Sequence, residues 1–364
     1  MTAATAVRTH RDEFDAAKAQ AFAGKLLGAL NSSALILMTS IGHRSGLFDA
    51  LARITPATVK ELAAEADLAE RYVREWLGVM VTAGVVEYDP AAASYHLPAE
   101  HAGWLTRAAA PNNIAVTAQM IGVVAGVEDE ILARFHDGKG LHYHDYGRFH
   151  EVMGEHTQQA VVMNLVSTIL PIMPDAIARL EAGIEVIDVG CGAGGAVLEL
   201  AGRFPNSRFL GIDLCKDAYE AAEVEGRRRG LTNLSFAEVD VSKERSFGAH
   251  DLVFAFDAVH DQKDPQGMLD SVRRSLKPGG TFLMVDIDGS SRLENNLDHM
   301  LGAYLYMVST MHCTPVSLAQ GGAGLGTMWG VELAAEMLGK AGFGDVELKR
   351  LPTDPFNAYF VARP

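Results

Sequence analysis

Residues 185–195 read EVIDVGCGAGG, an apolar run that breaks into glycines. Gly190, Gly192 and Gly195 satisfy G-x-G-x-x-G, the spacing by which a strand–turn–helix lets backbone approach a nucleotide closely. The pattern alone does not separate a dinucleotide from another nucleotide-bearing ligand. Downstream, strand-like runs recur: IEVIDV (184–189), SRFLGIDL (207–214), NLSFAEVDV (233–241), DLVFAF (251–256) and GGTFLMVDI (279–287). Helical segments fall between them, among them AVLELAGRF, KDAYEAAEVEGRRRG and PQGMLDSVRRSL. Two last strands, DVELKRL (345–351) and FNAYFVA (356–362), are joined by a short Pro-containing turn and should lie antiparallel. The alternation predicts an α/β fold with a Rossmann-like, doubly wound seven-stranded sheet whose last hairpin is antiparallel. Its ligand should lie at the C-terminal strand ends.

The acidic residues at those strand ends narrow the ligand. Asp188 closes the first strand just before the glycines, where a carboxylate faces the middle of a ligand and suits a positive centre. Asp213 closes the second, at the position that accepts ribose hydroxyls. Asp240 closes the third and can accept from an adenine amino group. No basic residue is expected beside the loop. A diphosphate would be repelled there, whereas an adenosine carrying a sulfonium and an amino-acid tail would be accommodated.

DVGCGAGG, the Asp213 of GIDL, the Asp240 of AEVDV and LKPGG at 276–280 together resemble the class I S-adenosylmethionine (SAM)-dependent methyltransferases. AVHDQKDP (258–265) and the N-terminal half resemble the bacterial and plant small-molecule O-methyltransferases. HCTPVSLAQGGAGLGTMWG (312–330) is similar to a narrower group of winged-helix methyltransferases. The resemblance implies SAM as cofactor, with Asp188, Gly190 and Gly192 around its methionine end, Asp213 at the ribose, and Asp240 with Val241 at the adenine. Cys191, Leu214 and Phe256 complete the residues expected to line the cofactor site.

Before residue 184 the chain is Ala-rich and helical. Residues 44–77 carry three short apolar periodicities, and VVEYDPAAASYHL (85–97) reads as a hairpin around Asp89-Pro90. Three helices and a hairpin make a winged helix over about 30–105. Its expected recognition helix, LAERYVREWLGVMV (68–81), balances Arg71 and Arg74 with Glu70 and Glu75, so packing and dimerisation are expected of the module rather than DNA contact. The expected domains are 1–110 (winged helix and dimerisation), 111–183 (helical connector) and 184–364 (SAM-binding, with a lid insertion at 288–330).

Methyl transfer from a sulfonium is an in-line displacement that quenches charge, so alignment and removal of an acceptor proton are what a protein supplies. His260 follows the fourth strand and matches the base histidine of the O-methyltransferase HDW pattern, although Gln262 replaces its tryptophan. We expect His260 to be the general base. Tyr143, Tyr146 and Phe149 from the connector, with His299, Met300, His312, Met328 and Trp329 from the 288–330 region, are the expected lining of an apolar, aromatic-tolerant acceptor pocket. GGAGLG in that region follows no strand and reads as a mobile hinge. His142, His144 and Asp145 have metal-compatible types, but H-x-H is common and no metal is expected.

Composition sets the outer bounds. Hydrophobic residues make up 48% of 364, and 46 acids against 31 bases give a formal net charge of −15. That field disfavours nucleic acid and anionic membrane as partners and leaves a small molecule and a second copy of the chain. Three scattered cysteines form neither a disulfide framework nor a zinc site. The opening MTAATAVRTHRDEF lacks the apolar core of a signal peptide, so a cytoplasmic location is expected. Methylation at nitrogen or carbon, and a winged-helix regulator that senses SAM, remain alternatives.

Overall fold

The computed structural model describes residues 14–364; the signal-peptide reading of the N-terminus falls almost wholly outside them. The chain divides into two compact units, one ending at Ala108 and the other beginning at Ala109.

The first unit opens with a helix the sequence reading did not place, α1 (Ala16–Arg44), capped by Asp15, whose side chain accepts from the Ala17 and Lys18 N–H groups. Its apolar residues sit around the helix rather than in one stripe, which is why no amphipathic period announces it. Phe22, Leu26, Leu27, Leu30, Leu37 and Ile41 are exposed, and by length and composition α1 is long and apolar enough to cross a membrane. The three expected short helices follow as α2 (Leu47–Ile54), α3 (Val59–Glu65) and α4 (Glu70–Thr82). A capping box between Thr58 and Glu61 starts α3. Leu47, Phe48 and Leu51 of α2 and Val73, Trp76, Leu77 and Met80 of α4 face inward. Phe48 and Trp76 meet edge-on at 5.1 Å, and a Cβ on Gly42 would clash with both rings at 2.7 Å, so α1 crosses them only with glycine at that position. Besides the hairpin β2 (Glu87–Asp89) and β3 (Ser94–His96), a two-residue strand β1 (Ala57–Thr58) pairs with β3, giving the order β1-β3-β2.

The second unit is built on seven strands. They are β4 (Glu185–Val189), β5 (Arg208–Asp213), β6 (Leu234–Glu238), β7 (His250–Phe256), β8 (Leu276–Ile287), β9 (Asp345–Leu351) and β10 (Asp354–Arg363), in the order β6-β5-β4-β7-β8-β10-β9. The first five run parallel, and β10 is antiparallel to both neighbours, as expected from the terminal hairpin. Because successive strand residues point to opposite faces, β4 serves two cores. Ile187 and Val189 pack with Met268, Leu269 and Leu338 on one face, and Val186 packs with Leu180, Val197 and Leu200 on the other. Each such side chain contributes roughly 1.5–3 kcal/mol by leaving water. The chain winds outward from β4 through β5 and β6, then reverses to β7 on β4's other side, opening a crevice beyond their C-terminal ends. A third core, with Met120, Val124, Ile131, Tyr146, Phe149 and Val316, packs the connector helices against the 288–330 segment.

Candidate functional site

The crevice holds a cavity of about 440 Å³. All nine residues expected around the cofactor line it: Asp188, Gly190, Cys191, Gly192, Asp213, Leu214, Asp240, Val241 and Phe256. Gly190 sits at φ +76°, and a Cβ there would come within 2.6 Å of the Ala258 Cβ; Gly192, at φ +51°, faces open space. The N–H groups of Gly190 and Cys191 both donate to Ile212 O, that of Gly192 to Asp213 Oδ2 at 2.8 Å, and that of Gly194 to Cys191 O. The loop therefore offers room rather than the free donors a pyrophosphate needs.

Asp213 is fixed from both sides, by Gly192 N–H and by Cys215 N–H at 2.9 Å, with lone pairs left for hydroxyl donors. Asp188 is buried, its Oδ1 has no partner in the protein, and burial followed by the charge of Asp213 pushes its carboxyl up to about 7. Such a group fits a cation, which supplies the charge the protein does not. Two expectations change here. Strand β6 ends at Glu238, so Asp240 stands in the turn beyond it, hydrogen-bonded to Ser242 and paired with Lys243 at 2.8 Å. Bases also approach the site after all: Lys263, from the AVHDQKDP segment, lines the same cavity, brought there by a fold contact that sequence spacing does not show.

A second, inner cavity of about 100 Å³ shares Phe149, Met153, Asp257 and Asp261 as walls with the first. His260 lines it, only 3% exposed. Its Nδ1 meets Asp286 Oδ1 at 2.7 Å, and Nε2 lies 3.4 Å from Asp261 Oδ1. Because a carboxylate only accepts, Nδ1 is the donor. Asp286 is itself held by Trp329 Nε1–H at 3.0 Å and by the Ile287 N–H. Burial alone would lower the His260 pKa, but Asp286 and then Asp261 hold it well above the usual imidazole range. His312 is the opposite case. Burial depresses it to about 4, its ring stacks on Phe149 at 3.7 Å, and its Nε2 has no partner.

The expected acceptor lining is only partly brought together. Phe149 and His312 line the inner cavity, and Tyr143 lines the outer one with its hydroxyl 3.4 Å from Asp261 Oδ2. Tyr146 instead buttresses His312 edge-on and donates to Met311 O. Trp329 lines neither cavity; it sits in the core and acts on His260 through Asp286. Met328 packs over Gly289. His299 and Met300 are corrections: His299 is spent on Asp288 O and Leu301 N, and Met300 is 78% exposed, because the chain before residue 302 runs outward. GGAGLG is no loose hinge either. A Cβ at Gly322 would strike Ser317 and Lys263, and one at Gly326 would strike Ser309 and Thr314, so these glycines permit close packing.

Asp257, Asp286, Tyr304, Cys313, Phe356 and Asn357 belong to the site and were not singled out from sequence. Only Asp286 carried a signal, an acid inside the apolar strand GTFLMVDI. For a metal, His142 and His144 stack on each other while His144 stays largely exposed. Among the described residues, His260, Asp261 and Cys313 are the group whose ligand atoms come within 4.8 Å of one another. With the imidazole already ion-paired on both sides, we read these three as hydrogen-bonding groups rather than ligands.

Residues 180–341 match the family description of a methyltransferase domain, and residues 33–107 that of an Rv2258c-like winged HTH domain. A sterol 24-C-methyltransferase of Gibberella zeae is 32% identical over 136 residues, which span 34% of this chain and about a third (35%) of that protein's length. Among solved structures, human N-acetylserotonin methyltransferase in complex with SAM aligns over 98% of this chain and 99% of its own, with a TM-score of 0.69 at 16% identity. An O-methyltransferase family protein of Burkholderia thailandensis aligns over 94% and 98%, with a TM-score of 0.64 at 16% identity. The match over residues 180–341 and the sheet order identify that segment as a methyltransferase domain. N-terminal to it, residues 33–107 carry an Rv2258c-like winged HTH domain.

Proposed function

We propose that the protein methylates a small, largely apolar or aromatic molecule at a hydroxyl, with SAM as donor. The observation that carries this reading is the shared wall. The acid-rimmed outer cavity adjoins an aromatic inner cavity onto which a carboxylate-held histidine opens. When bound, SAM supplies an electrophilic methyl group on a sulfonium. Asp188 balances positive charge, Gly190 and Gly192 leave room for the ligand's chain, and Asp213 holds ribose hydroxyls. Asp286 orients the imidazole of His260, and Trp329 orients Asp286. Positive charge arriving beside Asp261 would offset a carboxylate that keeps the imidazole protonated, so that Nε2 would give its proton to solvent and then accept the hydroxyl proton. The acceptor oxygen then forms the new bond to the methyl carbon as its bond to sulfur breaks, leaving a neutral thioether. We assign a second copy of the chain to the exposed apolar side of α1.

The test begins with thermal stability. SAM and its demethylated product should raise Tm while NAD and NADP should not, and Asp213→Ala should lose that shift. With an acceptor found by screening hydroxylated aromatics against labelled SAM, His260→Gln should cut kcat about 10²–10⁴-fold. Full activity in that variant would end the base role and leave nitrogen or carbon as the methylated atom.

A further inference from the structure

The inner cavity combines apolar walls with buried polar atoms that lack partners. Among its walls, Val116, Met120, Val152 and Leu305 are aliphatic, and Phe149, Tyr304 and Phe356 are aromatic. Four buried polar atoms in the lining make no hydrogen bond among the described residues: Asp257 Oδ1, Asn357 Oδ1, His312 Nε2 and Asp261 Oδ1, the last of which is ion-paired with His260 Nε2 at 3.4 Å. Three of them are oxygens. Asn357 is 2% exposed and spends its NH₂ on Asp354 Oδ2 at 3.0 Å, which leaves the carbonyl oxygen as its unused end. Asp257 holds a left-handed backbone at φ +49° just past β7, fixed by its N–H on Val285 O at 2.8 Å. Strain of that sort persists where the surroundings need the side chain in one place. Here it stands the carboxyl on the wall shared by both cavities.

Charge is unbalanced in the same direction. Asp257 and Asp261 line the cavity and Asp286 backs it, against His260 as the one imidazole held cationic; burial and then Asp286 hold the Asp257 carboxyl toward its protonated form, which an adjacent cation would ionise, and burial keeps both His156 and His312 toward their neutral forms. Unpaired buried acceptors are destabilising, a penalty that a ligand with N–H donors removes. An ammonium group has three donors and no acceptor, and it is attracted to aromatic faces.

We propose that the inner cavity is an ammonium subsite: the acceptor molecule carries a protonated primary or secondary amine on an apolar or aromatic body. Asp257 and Asn357 receive the N–H groups, and Phe149, Tyr304 and Phe356 surround the cation. The proposal rests on reading the inner cavity as the acceptor site, and it holds whether the methyl group goes to oxygen or nitrogen.

The experiment uses the full-length protein saturated with S-adenosylhomocysteine, whose sulfur is neutral. Titration calorimetry then compares benzylamine with benzyl alcohol and 2-phenylethylamine with 2-phenylethanol. Binding of S-adenosylhomocysteine, measured first, tests the methyltransferase reading separately. We expect each amine to bind about tenfold or more tighter than its alcohol. Asp257→Asn, which tolerates a left-handed backbone, and Asn357→Leu should each remove most of that preference, and Asn357→Leu, at a residue that borders the inner cavity alone, should leave S-adenosylhomocysteine affinity within about twofold. Equal or tighter alcohol binding, or no amine binding at millimolar concentration, overturns the proposal. So does a preference that survives both variants. If Asp257→Asn instead weakens SAM relative to S-adenosylhomocysteine, Asp257 belongs to the sulfonium. If purified protein holds stoichiometric divalent metal whose removal abolishes the preference, the carboxylates belong to that metal.

Discussion

Asp188 is buried with one oxygen unsatisfied, and its carboxyl titrates at about 7. Between the ordinary carboxylate range and 7, the folded protein therefore holds a proton that the unfolded chain has released. Ligand-free stability should fall as pH rises through that window. A ligand whose cation sits beside Asp188 favours the ionised form, so binding releases that proton. Affinity for SAM should rise with pH up to about 7 and then level, with a limit of about tenfold per pH unit on the rising limb. Calorimetry across pH 5–8 would show it, and Asp188→Asn should flatten the curve; a flat wild-type profile would remove Asp188 from the cation's neighbourhood. Asp188 and Asp213 were legible as cavity residues because each closes an apolar strand, and Asp188 stands beside the glycine turn, signals that are local in sequence. Asp257 and Asn357 lacked that advantage: one lies in FAFDAV and the other in DPFNAY, a hundred positions apart, and only pairing of distant strands brings them to one cavity.

At the scale of elements, a π-helical turn at Ser309–Cys313 carries His312 and Cys313 inward, following the helix Gly302–Val308. The widened turn is a local feature often found at functional sites, and no residue pattern announces it. The methionine and tyrosine run 299–312 showed that a pocket wall lay there but not which residues faced it: Tyr304 lines the inner cavity, whereas Met300 points to water. Helix α1 is the larger omission. Leu26, Leu30, Leu37 and Ile41 follow one another at intervals of four and seven on its exposed surface, a spacing suited to helix pairing. Light scattering should give twice the chain mass for the wild type, and Leu26→Glu combined with Leu30→Glu should give a monomer. A wild-type monomer would leave α1 without the partner we assign it.

For the molecule as a whole, the seven-stranded, mainly parallel sheet with its antiparallel last hairpin and the helical character of the N-terminal half followed from alternation and periodicity, which integrate over many residues and survive local misreadings; the order β8-β10-β9 did not. The winged helix raised the question of DNA, and the structure adds to the charge argument. On α4, Arg74 pairs with Glu70 at 2.9 Å and Arg71 pairs with Glu75, so neither guanidinium is free for phosphate. With a net charge of −15, the protein should not retard duplex DNA even at low salt. Salt-sensitive, sequence-selective retardation would restore the regulator reading.

The reversal of β10 has a consequence of its own. Because β10 runs against β8, pairing Asn357 with Ile287 and Ala358 with Asp286, its beginning returns to the edge where the parallel strands end. Phe356 and Asn357 thus reach the inner cavity from the last strand of the chain, while the donor's contacts come from the turns after β4, β5 and β6. Asp257 and Asp261 stand on the wall common to both cavities, whereas Phe356 and Asn357 border the inner one alone. On the proposed assignment, substrate preference is therefore retailored at the start of β10 without touching the wall that both cavities share.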